Sequence, residues 1–379
     1  MKHLKILIDN KIPFIKGALE EVAEVIYLDY SEFNSTNVRH ADALIIRTRI
    51  ICNEELLKGS KVKFIATATI GFDHIDTVYC KKNGISWTNA AGCNSSSVEQ
   101  YFVSAILELS GRKDFNPGSM AVGVVGVGHV GSKVARAAHS LGMKVLENDP
   151  PRESVEGSMN FVSLKKIKQE SDIITFHVPL YNEGMNKTYK MVNSDFFNTL
   201  NKPVYLINSS RGNVVDETAL LTALKEGKIK GCILDVWENE PDINSDLVKL
   251  TEFATPHIAG YSCDGKANGS AMSVQAVSRF FGLGIDYWLP ENLPLPEKTL
   301  LNIDCNRLSE IDIMRKVYSS TYSILQDDEL LRNNLSGFEA LRGSYRIRRE
   351  PKAYTIFLQN NKYIKLKRTL ENFGFNVIT

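Results

Sequence analysis

The chain lacks an excess of charge of either sign. Lys and Arg number 45 against 44 Asp and Glu, a formal net charge of +1, so no global field draws it to nucleic acid or an anionic membrane. It also lacks a long hydrophobic run. The uncharged stretch 120–132 is glycine-rich and far short of the roughly 20 apolar residues that span a bilayer. At the N-terminus Asp9 and Lys11 interrupt the apolar run and no small-residue cleavage site follows, so this segment reads as a first strand rather than a signal peptide. Closely spaced cysteines are missing too. Cys52, Cys80, Cys93, Cys232, Cys263 and Cys305 lie far apart, with no CxxC pair and no metal-ligand spacing. That predicts no metal and a reducing, cytoplasmic setting. No internal repeat occurs. With 43% hydrophobic and 23% charged residues over 379 positions, the sequence is an ordinary globular mixture holding two or three domains.

Short β-branched runs alternate with helical patterns over the first two thirds. Strands are expected at 4–8, 43–47, 63–67, 121–125, 144–146, 172–176, 204–208, 232–235 and 252–255, with helix-forming segments such as 217–226 between several of them. This alternation predicts parallel sheets built from βαβ units. Two sheets are needed, because the phosphate-loop motif begins only near residue 123. The segment 98–109 reads as a long apolar helix, and 265–283 as another. The run 289–298, with Pro290, Pro294 and Pro296, is stiff and cannot be helical. Beyond it about 80 residues mix strand-like 299–303 and 354–358 with helical 308–325 and 363–373, the pattern of a small α+β domain.

Gly126, Gly128 and Gly131, with His129 and Val130 between the last two, form a GxGxxG after an apolar strand and before the helix 130–141. Such a loop turns tightly at its first glycine, lets backbone approach a pyrophosphate at its second, and packs helix on strand at its third. The next strand ends in Asp149, 23 residues beyond Gly126, where an acidic residue hydrogen-bonds an adenosine ribose. That carboxylate repels a ribose phosphate and so favours NAD over NADP, an exclusion that Arg152 nearby would soften.

Three further polar residues stand at strand ends: Arg211, Glu240 and His257. In a doubly wound sheet ligands bind beyond the carboxyl ends of the strands, so all three converge on one crevice. Their chemistry fits oxidation of a secondary alcohol. A histidine takes the hydroxyl proton, a carboxylate on its other nitrogen fixes the tautomer, and an arginine grips a substrate carboxylate. Each also has a plain structural reading, as a strand terminator, a turn residue or a surface charge. Beside a dinucleotide motif the joint functional reading is stronger. For His74 and His177 packing is expected rather than proton transfer, and His3, His40, His129 and His139 fit the role less well.

These segments, GVVGVGHVG with Asp149, NSSRGNVVDETAL, LDVWENEP and TPHIAGY, resemble the D-isomer-specific 2-hydroxyacid dehydrogenase family over roughly residues 1–288. TATIGFDHID, AAGCNSSSVEQY, ENDPP, HIAGYSCDGKANG and the extra C-terminal domain are similar to a branch acting on a phosphorylated four-carbon acid in pyridoxal phosphate formation. The resemblance implies a flavodoxin-like substrate domain (1–97 and 263–288), a Rossmann NAD domain (98–262) and a C-terminal dimerisation domain (289–379) pairing two chains. It implies that Arg211 binds the carboxylate, Glu240 partners the histidine and His257 is the acid/base. Cofactor contacts would fall on Asp149, Val178, Ser209, Ser210, Arg211, Asp235 and Gly260, and substrate contacts on Thr48, Thr69 and Tyr261. Thr48 stands where relatives carry serine. Val178 replaces a threonine, leaving only its backbone to meet NAD.

A phosphorylated substrate needs cations. Arg47 and Arg49 flank Thr48, and would share a face opposite it if the strand continued. A second cluster is Arg342, Arg346, Arg348 and Arg349, with a solvated basic face as its favoured alternative. One expectation is that an arginine of this cluster reaches across a dimer. The alternative functions are another D-2-hydroxyacid dehydrogenase, such as one for phosphoglycerate, and a non-catalytic NAD-sensing corepressor-like protein.

Overall fold

Parallel neighbours in a sheet cannot be joined by a tight turn, so each pair demands a crossover, and the strand–helix alternation supplies it. A computed structural model, which describes residues 4–378, divides the chain into two compact units. One is Met1–Asn94 with Ser262–Pro294, the other Ser95–Tyr261 with Leu295–Thr379.

In the first unit β1 (Lys5–Asp9), β2 (Glu24–Leu28), β3 (Ala43–Ile46), β4 (Phe64–Thr67) and β5 (Ser86–Asn89) form one parallel sheet in the order β2-β1-β3-β4-β5. This is the flavodoxin order, with the chain reversing direction between β1 and β3. Alternation sends Ile6, Ile8, Ala43 and Ile45 to one face and Leu7, Leu44 and Ile46 to the other. The helix Cys263–Phe281 returns to this unit and covers the first of those faces with Val274 and Val277. It stops at Gly282, whose φ of 69° suits a left-handed cap.

In the second unit β6 (Ala121–Val125), β7 (Lys144–Asn148), β8 (Ile173–Phe176), β9 (Val204–Asn208), β10 (Ile229–Leu234) and β11 (Phe253–Ala254) are parallel, in the order β7-β6-β8-β9-β10-β11. A full Rossmann sheet carries one more strand beyond β7. Here that place is held by the segment around Val162, whose N–H donates to the Glu147 carbonyl at 2.7 Å and whose carbonyl accepts from Asn148 Nδ2 at 2.7 Å. Strands β12 (Leu300–Asp304), β13 (Thr355–Gln359) and β14 (Asn376–Ile378) make a separate three-stranded sheet, also parallel. The expected helix 308–325 is two, Glu310–Thr321 and Ile324–Asn333. Tyr322 is extended between them, and Ser104 bonds the freed backbone, donating to the Tyr322 carbonyl and accepting from Ile324 N, each at 3.3 Å.

The helix Ser95–Lys113 is buried along nearly its whole length. Tyr101, Phe102, Ala105, Ile106 and Leu109 belong to one continuous core with Val134 and Ala138 of the nucleotide-binding half and Val317, Tyr318 and Ile324 of the C-terminal half. Glu99 lies on this helix. Burial, the largest influence, pushes its carboxyl up to about 7 against the pull of Lys133 and Arg136. A carboxyl raised above its unfolded value stabilises the folded chain at low pH, and that contribution is lost as pH rises through about 7. Glu99→Gln should therefore raise the melting temperature at pH 8, by a stability gain on the order of 1–3 kcal/mol, and the gain should shrink toward pH 5. Thermal unfolding at the two pH values checks this. Among the described residues no helix is long and apolar enough to cross a membrane.

Candidate active site

The glycine loop leaves β6 with Gly126 at φ 86°, a conformation L side chains rarely adopt. A Cβ on Gly126 would also lie 2.8 Å from the His177 backbone, and one on Gly131 would lie 1.9 Å from the Gly126 carbonyl. Gly128 differs, because a Cβ there would meet open space. It also caps the helix His129–Ser140 with no side-chain hydrogen bond. The first N–H groups of that helix thus have no capping side chain, and an anion is an acceptor they suit. These residues fit a dinucleotide pyrophosphate. Asp149 accepts from Val127 N at 2.8 Å and from Arg152 N at 3.0 Å, so the acidic residue and the loop are held in one frame. Arg152 is turned to Glu156, at 2.6 and 2.7 Å, and to the Val127 carbonyl at 2.5 Å. It therefore does little to offset the Asp149 charge that disfavours a 2′-phosphate.

Beyond β9, β10 and β11 the three expected catalytic residues lie on consecutive strand ends. Arg211 precedes a 3₁₀ turn, half-buried, with Nη1 donating to the Ser210 carbonyl at 2.8 Å. Asn208 pins that turn by donating to the Arg211 carbonyl at 2.9 Å and accepting from Ser210 N and Oγ. The next residue must be Gly212, because a Cβ there would fall 1.8 Å from the Trp237 carbonyl. The Arg211 loop therefore rests directly on the loop that carries Glu240.

Glu240 Oε2 lies 2.7 Å from His257 Nδ1, and Oε1 accepts from Trp237 N at 2.9 Å. A carboxylate can only accept, so Nδ1 carries the proton and Nε2 is left as the basic atom. Burial pushes the Glu240 carboxyl up, but His257, the Trp237 N–H and Arg342 together hold it below the usual range. His257 itself sits at φ 55°, a strained backbone for a residue with a side chain.

Asp235 holds the His257 loop. Its backbone carbonyl accepts from His257 N at 2.7 Å, and its carboxylate accepts from Ile258 N, Ala259 N and Thr255 Oγ1 at 2.8, 2.9 and 2.6 Å. Asp235 is also one of the expected cofactor contacts. The residue is 1% exposed and its oxygens are taken by the loop. Neither this anchor nor Glu217, which accepts from Glu238 N at 2.8 Å, carries a local sequence signal. Of the remaining expected cofactor residues, Val178, Ser209 and Gly260 are half-buried and His129 is exposed, while Ser210 is buried.

Among the described residues the other histidines have no carboxylate partner of this kind. His177 Nε2 pairs with Thr175 Oγ1 at 2.9 Å, and burial pushes its pKa down to about 3. His74 pairs with Thr67 Oγ1 at 3.1 Å, and burial lowers it too. His40, His129 and His139 are exposed, and His3 lies outside the described residues.

In the first unit the strand stops at Ile46, which releases Arg47, Thr48 and Arg49 from the alternation that would have placed both arginines opposite Thr48. Arg47 donates to Asp9 at 2.9 and 3.3 Å, Arg49 lies 5.4 Å over the Tyr30 ring, and Thr48 is exposed. Thr69 shares a 2.7 Å hydrogen bond with Thr67 and donates to the Gly71 carbonyl at 3.0 Å.

Residues 110–259 match the family model described as D-isomer specific 2-hydroxyacid dehydrogenase, NAD binding domain, and residues 294–371 match a domain of unknown function, DUF3410. The chain is 50% identical over 354 residues to an erythronate-4-phosphate dehydrogenase of Bacteroides thetaiotaomicron, covering 93% of this chain and 99% of that one. The chain belongs to the erythronate-4-phosphate dehydrogenases. The enzyme of that name from Porphyromonas gingivalis is 38% identical, over 97% of this chain and 99% of that one. Among solved structures, D-lactate dehydrogenase from Aquifex aeolicus complexed with NAD and lactic acid superposes with a TM-score of 0.59 at 29% identity. It covers 73% of this chain and 95% of that one. A glyoxylate/hydroxypyruvate reductase from Sinorhizobium meliloti, 24% identical with a TM-score of 0.63, covers 74% and 96% and shares the fold. The dinucleotide of this erythronate-4-phosphate dehydrogenase family member is NAD.

In this family member the C-terminal arginines are engaged within their own chain. Arg348, 2% exposed, donates to Gln100 Oε1 at 2.9 Å, to Ser97 O at 2.5 Å and to the carbonyls of Ile258 and Ala259 at 3.2 Å. Arg346 pairs with Asp327, Arg349 is buried, and Arg342 bonds Glu339 and Tyr261.

Proposed function

We propose that the chain oxidises 4-phospho-D-erythronate to 3-hydroxy-2-oxo-4-phosphonooxybutanoate with NAD, a step of pyridoxal phosphate biosynthesis. The observation that carries this reading is the 2.7 Å His257–Glu240 pair, set on the strand end next to the Arg211 turn in the half that matches an NAD-binding dehydrogenase domain. Held by the glycine loop and Asp149, NAD would supply the hydride acceptor for C2 of the substrate. Nε2 of His257 takes the C2 hydroxyl proton, and the ionised Glu240 keeps the ring oriented and favours the imidazolium that results. Arg211 pairs with the C1 carboxylate and holds C2 in place. Asp235 fixes the strained His257 backbone, so the base is aligned before substrate arrives.

In this reading residues 1–97 and 263–288 form the substrate domain and 98–262 the NAD domain, with Tyr261 as a substrate contact. The chain works as a cytoplasmic homodimer paired through 289–379. Exposed Leu295, Leu300, Ile347, Ile364 and Ile378 offer apolar surface for that pairing, and six free cysteines suit a reducing compartment.

The test follows NAD reduction by absorbance with 4-phosphoerythronate, 3-phosphoglycerate and lactate. Turnover should favour 4-phosphoerythronate by a factor on the order of 10² or more in kcat/KM. Preference for either other acid would move the chain to a different dehydrogenase activity. No turnover of any of them, with NAD still bound, would turn the reading to an NAD-sensing binding protein.

A further inference from the structure

The loop that presents the base is held from both sides. On its N–H side Asp235 accepts from Ile258 N and Ala259 N at 2.8 and 2.9 Å. On its C=O side Arg348 Nη1 donates to the Ile258 and Ala259 carbonyls, each at 3.2 Å. The peptide joining Ile258 to Ala259 is therefore bonded at both ends, its N–H to a carboxyl group and its C=O to a guanidinium. The Ile258 carbonyl also accepts from Tyr261 N at 2.8 Å, which closes the turn after it. His257, one position upstream, has φ 55°, and such a backbone persists only where its surroundings over-determine it.

Arg348 follows the helix Phe338–Gly343 in the C-terminal segment, inside the separately matched stretch 294–371 and in the same compact unit as His257. It is buried. Its guanidinium lies 3.7 Å from the Tyr322 ring centroid. The fork is fixed on the helix Ser95–Lys113, with Nε on Gln100 Oε1 at 2.9 Å and Nη2 on the Ser97 carbonyl at 2.5 Å. A planar group with five N–H donors thus ties the loop of the base to that central helix. The four acceptors are neutral carbonyl oxygens. An apolar side chain of similar volume would fill the space without the cost of burying a charge, but it could not hold two successive carbonyls of the loop.

We propose that Arg348 is a positioning residue for the general base. With Asp235 it clamps the peptides that follow His257, so that Nε2 meets the substrate hydroxyl in the geometry proton transfer requires. The C-terminal segment thereby governs the chemical step, acting through His257 rather than on the substrate. This proposal rests on the function assigned above.

The experiment measures single-turnover oxidation of 4-phospho-D-erythronate by the unaltered enzyme, Arg348→Met, His257→Ala and the double variant. Arg348→Met should lower the rate on the order of 10²-fold, the loss that a misplacement of about 1 Å brings, while KM and NAD affinity stay close to those of the unaltered enzyme. In the His257→Ala background the same substitution should cost no more than a few-fold, because a residue that acts through the base has nothing left to align. A folded Arg348→Met enzyme with an unchanged rate would overturn the proposal. So would equal fractional losses with and without His257, since a merely structural role lowers both backgrounds alike. Should methionine at 348 prevent folding, as read by NAD binding and thermal unfolding, Arg348→Lys keeps the buried charge and removes the planar fork. A fall of roughly 10-fold confined to the background that retains His257 is then expected, and no fall, or one shared by both backgrounds, overturns the assignment. Failure of the unaltered enzyme to oxidise 4-phospho-D-erythronate would instead sink the function itself.

Discussion

His257→Ala should lower kcat on the order of 10²–10⁴-fold while leaving NAD affinity close to that of the unaltered enzyme. The asymmetry follows from where the groups sit. The imidazole is bonded to Glu240, and its backbone to Asp235, whereas the glycine loop and Asp149 are braced by Val127 and Arg152 on the far side of the switch point. Removing the ring therefore takes away the proton acceptor without disturbing the dinucleotide cradle. Steady-state kcat, single-turnover rates and an NAD titration check this together. Single-turnover data are needed because slow product release would mask a chemical defect in kcat. A variant with near-normal single-turnover chemistry would mean that another group takes the proton.

Arg211→Lys should reduce kcat/KM on the order of 10²–10³-fold, again with NAD binding retained. The charge is preserved, so a large loss isolates geometry. A planar guanidinium offers two parallel N–H bonds to a carboxylate, and an ammonium is a point charge that cannot reproduce them. The site leaves little room to compensate. The turn is pinned by Asn208, and Gly212 is pressed against the Trp237 carbonyl, so the backbone cannot shift to bring a lysine into register. A loss of only a few-fold would show that charge alone holds the substrate carboxylate.

Much of this was legible in the linear chain. The GxGxxG, the acidic residue after β7 and the strand-end Arg, Glu and His are short-range patterns, each tied to the element it follows, and β6, β9 and β10, which carry three of them, are apolar and central. Strands β2, β5 and β14 escaped notice. β2 and β5 lie at sheet edges with partly exposed residues, and β14 is three residues long, so none displays a continuous buried run. The split between Glu310–Thr321 and Ile324–Asn333 was hidden as well, because Ser104, more than 200 positions away, supplies the hydrogen bonds that end the first helix and begin the second.

The amino-acid order alone determined the parallel α/β class, the NAD preference and the residue types that perform the chemistry, because strand periodicity, glycine sterics and acid–base character are local properties. Tertiary structure decided that Asp235 is an anchor, that Arg348 grips the Ile258 and Ala259 carbonyls, and that Arg342 faces Tyr261 and Glu240 in its own chain. Those roles depend on residues 20 to 102 positions apart. What a charged side chain does there is set by which acceptors packing brings within about 3 Å of it.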